Sequence, residues 1–346
     1  MFSQNTAPRF VVTEGDFGGI GPEALLHALD SYQGRIPFLP LILGHKSLLE
    51  GLAMREKLQF DFFEVSSVED WAASPLLDQP RSLGVLKLDQ EFSRPIVRGV
   101  PCKGFGTAAV EAVQRAVQLC LSNNVDGMIT SPVNKESMHL AGFNYEGQTE
   151  IIGEASGACS FGMLACAEEL RVWVATRHMS LKKAIALLTP EFVFAQIKMA
   201  HMAATETLGL ENPKIALSGL NPHASENGVF GREEANILLP ALKLAEKEGI
   251  QIEGPIVPDV VFSRGACGAY DVVIALYHDQ AFIPLKMLAR EKAYSLFVGA
   301  DLLRVSPMHG TAYDIVEKYK VDARPMRYCF DQAVHLFSQR RLLKSS

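Results

Sequence analysis

Residues 10–23, FVVTEGDFGGIGPE, decide the fold class. FVVT is a short β-branched, apolar run that predicts a strand, and the glycine-rich segment after it turns the chain into a helix. The glycines permit a tight backbone close to a ligand. Pro22 suits a first helical turn, where a missing amide hydrogen costs nothing. The pattern is neither a Walker A loop nor the G-x-G-x-x-G dinucleotide fingerprint. A plain strand–helix turn and a ligand loop both fit it.

The same alternation continues outward. PLILG (40–44), VDGMIT (125–130), RVWVAT (171–176), KIALSG (214–219) and DVVIALY (271–277) predict further strands, and TAAVEAVQRAVQLC (107–120) predicts a helix capped by Thr107. Gly104-Phe105-Gly106-Thr107 reads as a second strand–helix junction. Helical stretches are expected at 180–188, 191–207 and 232–248. Thr189-Pro190-Glu191 is a strong helix start, with proline in the first turn and glutamate at the positive end. Strands alternating with helices imply an α/β protein with substantially parallel sheet. Segment 75–101 has weaker periodicity and is a candidate crossing between domains.

A chain of 346 residues, 48% hydrophobic and 21% charged, can bury one large core or two ordinary ones. Its net charge of −6 and pI near 5.9 argue against nucleic acid, which needs a basic face, but allow a local basic pocket for an anionic metabolite. The N-terminus lacks the charged start and long apolar core of a secretory signal, and no later segment is an apolar span of membrane length. Six cysteines without a C-x-x-C pair suggest reduced thiols rather than a disulfide framework. A cytoplasmic location follows by elimination.

Three histidines carry the sharpest chemical signal. His178, His223 and His278 each lie just beyond a predicted strand, and in a parallel α/β architecture the carboxyl ends of strands form the ligand crevice. Neutral imidazoles there suit a divalent ion such as zinc. Taken singly, each is an ordinary surface histidine; the coincidence of three placements is what points to a metal. Asp279 either orients His278 or caps the next helix. Lys286 and Arg304 are cations able to grip a carboxylate or phosphate, or plain solvated charges. Thr130-Ser131-Pro132-Val133-Asn134-Lys135 and Gly147-Gln148-Thr149-Glu150 add polar groups near a strand end. His309 is a candidate acid/base group, with a structural hydrogen bond as the bland reading.

Read in order, GIGPE (19–23), TSPVNKE (130–136), GQTE (147–150), GLNPHASENGVFGREE (219–234), YHDQ (277–280), LK (285–286) and RVSPMHGTA (304–312) resemble the 4-hydroxythreonine-4-phosphate dehydrogenase (PdxA) family over nearly the whole chain. The resemblance implies a two-domain α/β/α fold like that of isocitrate and isopropylmalate dehydrogenases, with an active-site cleft. Residues 1–130 and 279–346 are then expected to form one discontinuous α/β domain. Residues 131–278 would form a second, which contributes metal ligands and dimer contacts. It further implies a homodimer with shared active sites and NAD as cofactor. The divalent metal, with zinc ahead of magnesium, manganese or cobalt, would be held by His178, His223 and His278. Gln148, Thr149, Lys286, Ser295 and Arg304 fall on substrate-contacting positions.

Three departures stand out. The family's GHTE is GQTE here, Ser295 replaces an asparagine, and GEPAGIGPE becomes GDFGGIGPE from Gly15. A neutral amide cannot take histidine's charged state, and serine reaches less far than asparagine. The expected reaction is metal-dependent, NAD-linked oxidation of a small anionic hydroxy compound, with decarboxylation following if a carboxylate lies β to the new carbonyl. 4-Phosphohydroxy-L-threonine or a related phosphorylated hydroxy acid is the first expected substrate class. The alternatives are a cis-dihydrodiol dicarboxylate dehydrogenase, a metal-dependent hydrolase and a non-enzymatic anion sensor.

Overall fold

The computed structural model describes residues 7–33, 36–92, 96–289, 291–318 and 321–343; the first six residues, part of the N-terminus read above for a signal, lie outside them. Two compact units emerge from the packing. Unit 1 comprises 1–160 and 300–337, and unit 2 comprises 161–299 and 338–346. These divisions differ from the expected 130/131 and 278/279.

The first stretch of unit 1 runs β1 (Arg9–Thr13), α1 (Gly21–Asp30), β2 (Leu39–Gly44), α2 (Lys46–Arg55), β3 (Asp61–Val65), α3 (Val68–Ala72), β4 (Ser82–Lys87), α4 (Lys103–Leu121), β5 (Gly127–Thr130), α5 (Lys135–Leu140) and α6 (Gln148–Ser156). Unit 2 follows with β6 (Gly162–Ala167), β7 (Leu170–Val174), α7 (Leu181–Leu187), α8 (Pro190–Met202), β8 (Ile215–Ser218), α9 (Leu239–Lys247), β9 (Ile252–Ile256), α10 (Pro258–Ala266), β10 (Val272–Ala275), α11 (His278–Leu288) and β11 (Ala293–Val298). The chain then adds β12 (Arg304–Pro307) to unit 1, and α12 (Arg324–Leu343) closes it.

Unit 1's strands lie in the order β3-β4-β2-β1-β5-β12, and every pairing is parallel. Segment 75–101 therefore stays within unit 1, where β4 sits between β2 and β3. The reason the chain remains in unit 1 beyond residue 130 is helix packing. α4 buries Phe105, Ala109, Ala112, Val113, Ala116, Val117 and Cys120, a stripe with helical spacing. Each large apolar side chain so buried stabilises by about 1.5–3 kcal/mol. α5 approaches α4 so closely that a Cβ on Gly106 would fall 2.0 Å from the Ser137 carbonyl oxygen. Gly106 thus serves helix–helix contact and not a strand–helix turn. α4 accordingly starts four residues before Thr107, whose hydroxyl donates to the Lys103 carbonyl at 3.1 Å and caps nothing.

In unit 2 the order is β11-β6-β7-β10-β8-β9. β7, β10, β8 and β9 are mutually parallel, while β6 runs antiparallel to both β11 and β7. Buried Trp173 anchors the core through an indole N–H donated to Gln196 at 3.0 Å. The expected start of α8 is present, with the Thr189 hydroxyl accepting from the Phe192 amide at 3.1 Å. Among the described residues no helix is long and apolar enough to cross a membrane.

Candidate active site

In unit 1, four chemically informative clusters gather at the carboxyl ends of the strands. The first centres on Arg304, which opens β12 and is only 3% exposed. Its Nε donates to Thr130 Oγ1 at 3.0 Å and Nη2 to Gln148 Oε1 at 3.0 Å, while Gln148 Nε2 donates to the Ser131 carbonyl at 2.8 Å. A guanidinium can only donate and a carbonyl can only accept, so these neighbours fix which way the amide of Gln148 faces. Burial pushes the Arg304 pKa down to about 10, against the opposing pull of nearby Cys329 and Glu150, so it remains a cation at neutral pH. Buried Thr149 stands beside Gln148 in the first turn of α6, where backbone amides favour anions.

The second cluster is an ion pair. His45 Nδ1 lies 2.6 Å from Glu14 Oε1, and Nε2 lies 2.6 Å from the Gln90 carbonyl oxygen. Both ring nitrogens face acceptors, so both must donate and the ring is an imidazolium. Burial alone would lower its pKa; the Glu14 carboxylate and the Gln90 carbonyl outweigh that and raise it.

Third, the Asp16 carboxylate accepts from the Gly18 amide and the Tyr313 hydroxyl, each at 2.8 Å, and burial raises its pKa. Fourth, Glu23 receives Arg55 at 2.7 Å and both terminal nitrogens of Arg98. His309 lies apart from these contacts. Its Nδ1 donates to the Gly310 carbonyl at 3.0 Å, its Nε2 has no partner among the described residues, and burial lowers its pKa, leaving a neutral ring.

In unit 2, His178, His223 and His278 stand beyond β7, β8 and β10, which are neighbours in the sheet. Three internal bonds fix these strand ends. The Thr176 hydroxyl donates to the Leu276 carbonyl at 2.8 Å, and buried Gln280 accepts from the Leu276 amide at 2.7 Å while donating to the Gly219 carbonyl at 2.8 Å. Neither Thr176 nor Gln280 was singled out by sequence, though Gln280 belongs to the YHDQ motif. His278 donates Nδ1 to Asp279 at 2.8 Å, which leaves Nε2 as the lone-pair nitrogen. Asp279 thus orients the ring; the cap position of α11 is Tyr277, with no side-chain cap bond.

His223 sits in a strained turn. Residues His223, Ala224, Ser225, Glu226 and Asn227 all have positive φ, between 46° and 69°, a conformation that costs a non-glycine residue about 1–2 kcal/mol. Such strain persists where surrounding structure over-determines it, commonly at functional sites. Here the restraint is Glu234: its Oε1 accepts from the Leu220 and Asn221 amides and its Oε2 from the Asn221 side chain, at 2.7–2.9 Å. Burial would raise the Glu234 pKa, but those bonds hold it below the ordinary range.

The rings of His178 and His278 are 5.4 Å apart by centroid, and His278 stacks on Phe282 at 4.3 Å. Three imidazoles suit a divalent metal chemically, yet among the described residues no three His, Cys, Asp or Glu side chains come together to hold an ion. Lys286 is exposed on α11, and Ser295 is buried in β11 opposite Ala165.

Residues 38–333 match the family model described as pyridoxal phosphate biosynthetic protein PdxA. The chain belongs to the PdxA family. It is 34% identical to a protein of Oceanobacillus iheyensis named putative D-threonate 4-phosphate dehydrogenase, over 95% of this chain and 98% of that protein. Its structure is similar to a 4-hydroxythreonine-4-phosphate dehydrogenase from Klebsiella pneumoniae, with a TM-score of 0.86 and 30% identity, covering 97% of this chain and 99% of the other. A terephthalate 1,2-cis-dihydrodiol dehydrogenase from Burkholderia xenovorans is similar at a TM-score of 0.62 and 25% identity, covering 95% and 98% of the two chains. Proteins similar to this chain thus bear the name dehydrogenase with more than one substrate.

Proposed function

We propose that this PdxA-family chain is a metal-dependent, NAD-linked dehydrogenase of a small phosphorylated hydroxy acid, either 4-phosphohydroxy-L-threonine or a tetronate such as D-threonate 4-phosphate. The observation that carries this reading is the row of His178, His278 and His223 at the ends of three adjacent parallel strands. Its polar staples and left-handed turn fix the backbone from which the imidazoles project.

In this reading the three histidines hold the divalent ion, Asp279 keeps His278 Nε2 facing it, and Glu234 keeps the His223 turn wound. A second copy of the chain shares in completing the site. Exposed Leu181 and Ile185 on α7 and Ile283 and Met287 on α11 offer apolar surface for that copy. Arg304, Gln148, Thr149, Lys286 and Ser295 bind the substrate, with the Arg304 cation answering its anionic group. When bound, the metal would make the substrate hydroxyl more acidic, so that its proton could pass to solvent, and an oxidised nicotinamide would be the acceptor of the hydride. Loss of carbon dioxide follows where the substrate carries a carboxylate β to the new carbonyl.

A second substrate class, the aromatic cis-dihydrodiol dicarboxylates, is favoured by the neutral Gln148 against Arg304, since a carboxylate there meets no second cation at residue 148. The test is a metal-supplemented panel of 4-phosphohydroxy-L-threonine, D-threonate 4-phosphate and an aromatic cis-dihydrodiol dicarboxylate, followed by NADH formation and product identity. NADH formed with a phosphorylated acid supports the proposal, and activity confined to the dihydrodiol moves it to the second class. Metal-dependent turnover without NADH reassigns the chain as a hydrolase, and tight binding without turnover makes it a sensor.

A further inference from the structure

We propose that Asp16 and Ser131 form a subsite for a vicinal diol at the point where unit 1's strand order reverses. From central β1 the chain builds β2, β4 and β3 on one side, then returns to place β5 and β12 on the other. In open parallel sheets this reversal opens a crevice outside the carboxyl ends of the two diverging strands, where ligands bind. β1 and β5 end level with one another, Thr13 opposite Thr130, so the crevice is bounded by the segments that follow: 14–21 and 131–135.

Three acidic side chains are buried in or beside the first segment, and their partners differ in kind. Glu14 is answered by the His45 imidazolium, and Glu23 by Arg55 and Arg98. Asp16 is answered by neutral donors: the Gly18 amide and the Tyr313 hydroxyl on Oδ1, with the Ser137 hydroxyl also acting on the carboxylate. Its Oδ2 is buried and without a hydrogen-bond partner among the described residues, as is Ser131 Oγ. Arg98 lies close enough to influence Asp16, yet its hydrogen bonds go to the Phe17 and Gly19 carbonyls and to Glu23. Unpartnered buried oxygens are rare enough to call for a missing partner.

The two residues are neighbours. Asp16 donates its amide to the Pro132 carbonyl at 2.9 Å. A Cβ on Gly15, which has φ +76°, would lie 2.7 Å from Ser131 Cβ. Ser131 has no other free polar group, since its amide donates to Thr13 Oγ1 and its carbonyl accepts from Gln148. A carboxylate acceptor beside a hydroxyl that can donate or accept is the set a pair of adjacent hydroxyls satisfies. Tyr313 and Ser137 act as positioning residues. The Cys102 amide donates to Ser137 Oγ, Ser137 to Tyr313 at 2.9 Å, and Tyr313 to Asp16, an order forced by the carboxylate at its end.

The diol has two sources under the dehydrogenase reading on which this inference rests: a cofactor ribose or a dihydroxy acid. Calorimetric titration of Ser131→Ala, Asp16→Asn and Tyr313→Phe with NAD+ alone and with D-threonate 4-phosphate alone separates them. Ser131→Ala removes a hydroxyl with no internal hydrogen bond, so a purely structural role predicts unchanged binding. We expect it to keep the wild-type Tm and lose about tenfold in affinity for one probe, with a larger loss in Asp16→Asn. Loss with NAD+ assigns the ribose, and loss with the sugar acid assigns the substrate. Unchanged affinity for both probes in Ser131→Ala and Tyr313→Phe overturns the inference, even where Asp16→Asn does not fold. Failure of the dehydrogenase reading shows instead in the wild type, as absence of NAD+ binding and reduction.

Discussion

The strand carboxyl ends of unit 1 and of unit 2 are built on opposite plans. In unit 1 the polar groups are buried and already bonded to one another: Arg304 to Thr130 and Gln148, Glu14 to His45, Glu23 to Arg98. In unit 2 His178 and His223 are exposed and His278 is half-buried, while their supports, Thr176, Gln280 and Glu234, are buried. The first plan fixes charges in place before any ligand arrives, which lowers the ordering cost of binding. The second fixes the strand ends but leaves the imidazoles available to something outside the chain. The contrast predicts that substitutions in unit 2's edge act on metal and assembly, and those in unit 1's edge act on affinity and stability.

The largest effect should come from the open edge. His178→Ala, His223→Ala and His278→Ala are each expected to lower metal content and cut turnover by about a hundredfold or more, with the circular dichroism spectrum retained. Metal analysis beside activity checks this. Normal stoichiometry and activity in all three variants would break the comparison at its strongest point.

Within the closed edge, Arg304→Met removes a buried cation and strands Gln148 Oε1 and Thr130, whereas Lys286→Met removes an exposed one. Breaking a buried charge arrangement costs about 3–5 kcal/mol, and an exposed charge about 1 kcal/mol or less. Substrate affinity should therefore fall far more in Arg304→Met than in Lys286→Met, with NAD+ affinity less affected in both. Equal losses in the two would show that burial does not set the contribution.

The His45–Glu14 pair sharpens the comparison through pH. The His45 pKa is raised in the fold, so its stabilisation is fully present below the ordinary histidine value and fades as pH climbs through the raised one. His45→Gln should destabilise unit 1 by a few kcal/mol near pH 6. The gap to wild type should narrow at alkaline pH, as read from thermal midpoints across the range. A gap that does not depend on pH would mean the ring is neutral in the native protein.

Much of this was legible before any coordinates. Strand–helix alternation gave the α/β class, and the positions of His178, His223 and His278 after predicted strands placed them on one sheet edge because adjacent parallel strands share that edge. What periodicity missed had physical causes. β3 and β9 are partly exposed and carry charge or proline, so they lack the apolar signature of β1 or β10. Gly106 looked like a turn because sequence does not distinguish a glycine required by a neighbouring helix from one required by φ. Pairings such as Asp16 with Tyr313, 297 residues apart, leave no local trace at all. Nor did sequence reveal that Arg304 would be buried, since an arginine before a polar run reads as solvated charge.

The smallest predicted effect concerns Gln148, the clearest departure from the family pattern. Its amide lies between a cation that only donates and a carbonyl that only accepts, so both halves are in use without a ligand. A neutral imidazole in Gln148→His can accept from Arg304 at one nitrogen and donate from the other, but an imidazolium can only donate and would stand against the guanidinium. The variant should therefore keep the Arg304 contact at alkaline pH and lose it on acidification, when a second cation faces the substrate's anionic group. A doubly charged phosphate gains more from that cation than a carboxylate does, so relative efficiency should shift by a few-fold toward 4-phosphohydroxy-L-threonine as pH falls toward about 6, where the phosphate still keeps much of its second charge. Thr149 and Arg304 remain, so the change should alter discrimination and leave the fold and metal content as they are. Specificity ratios equal to wild type across the phosphorylated and dihydrodiol substrates, at every pH, would show that residue 148 holds Arg304 in place and does not choose the ligand.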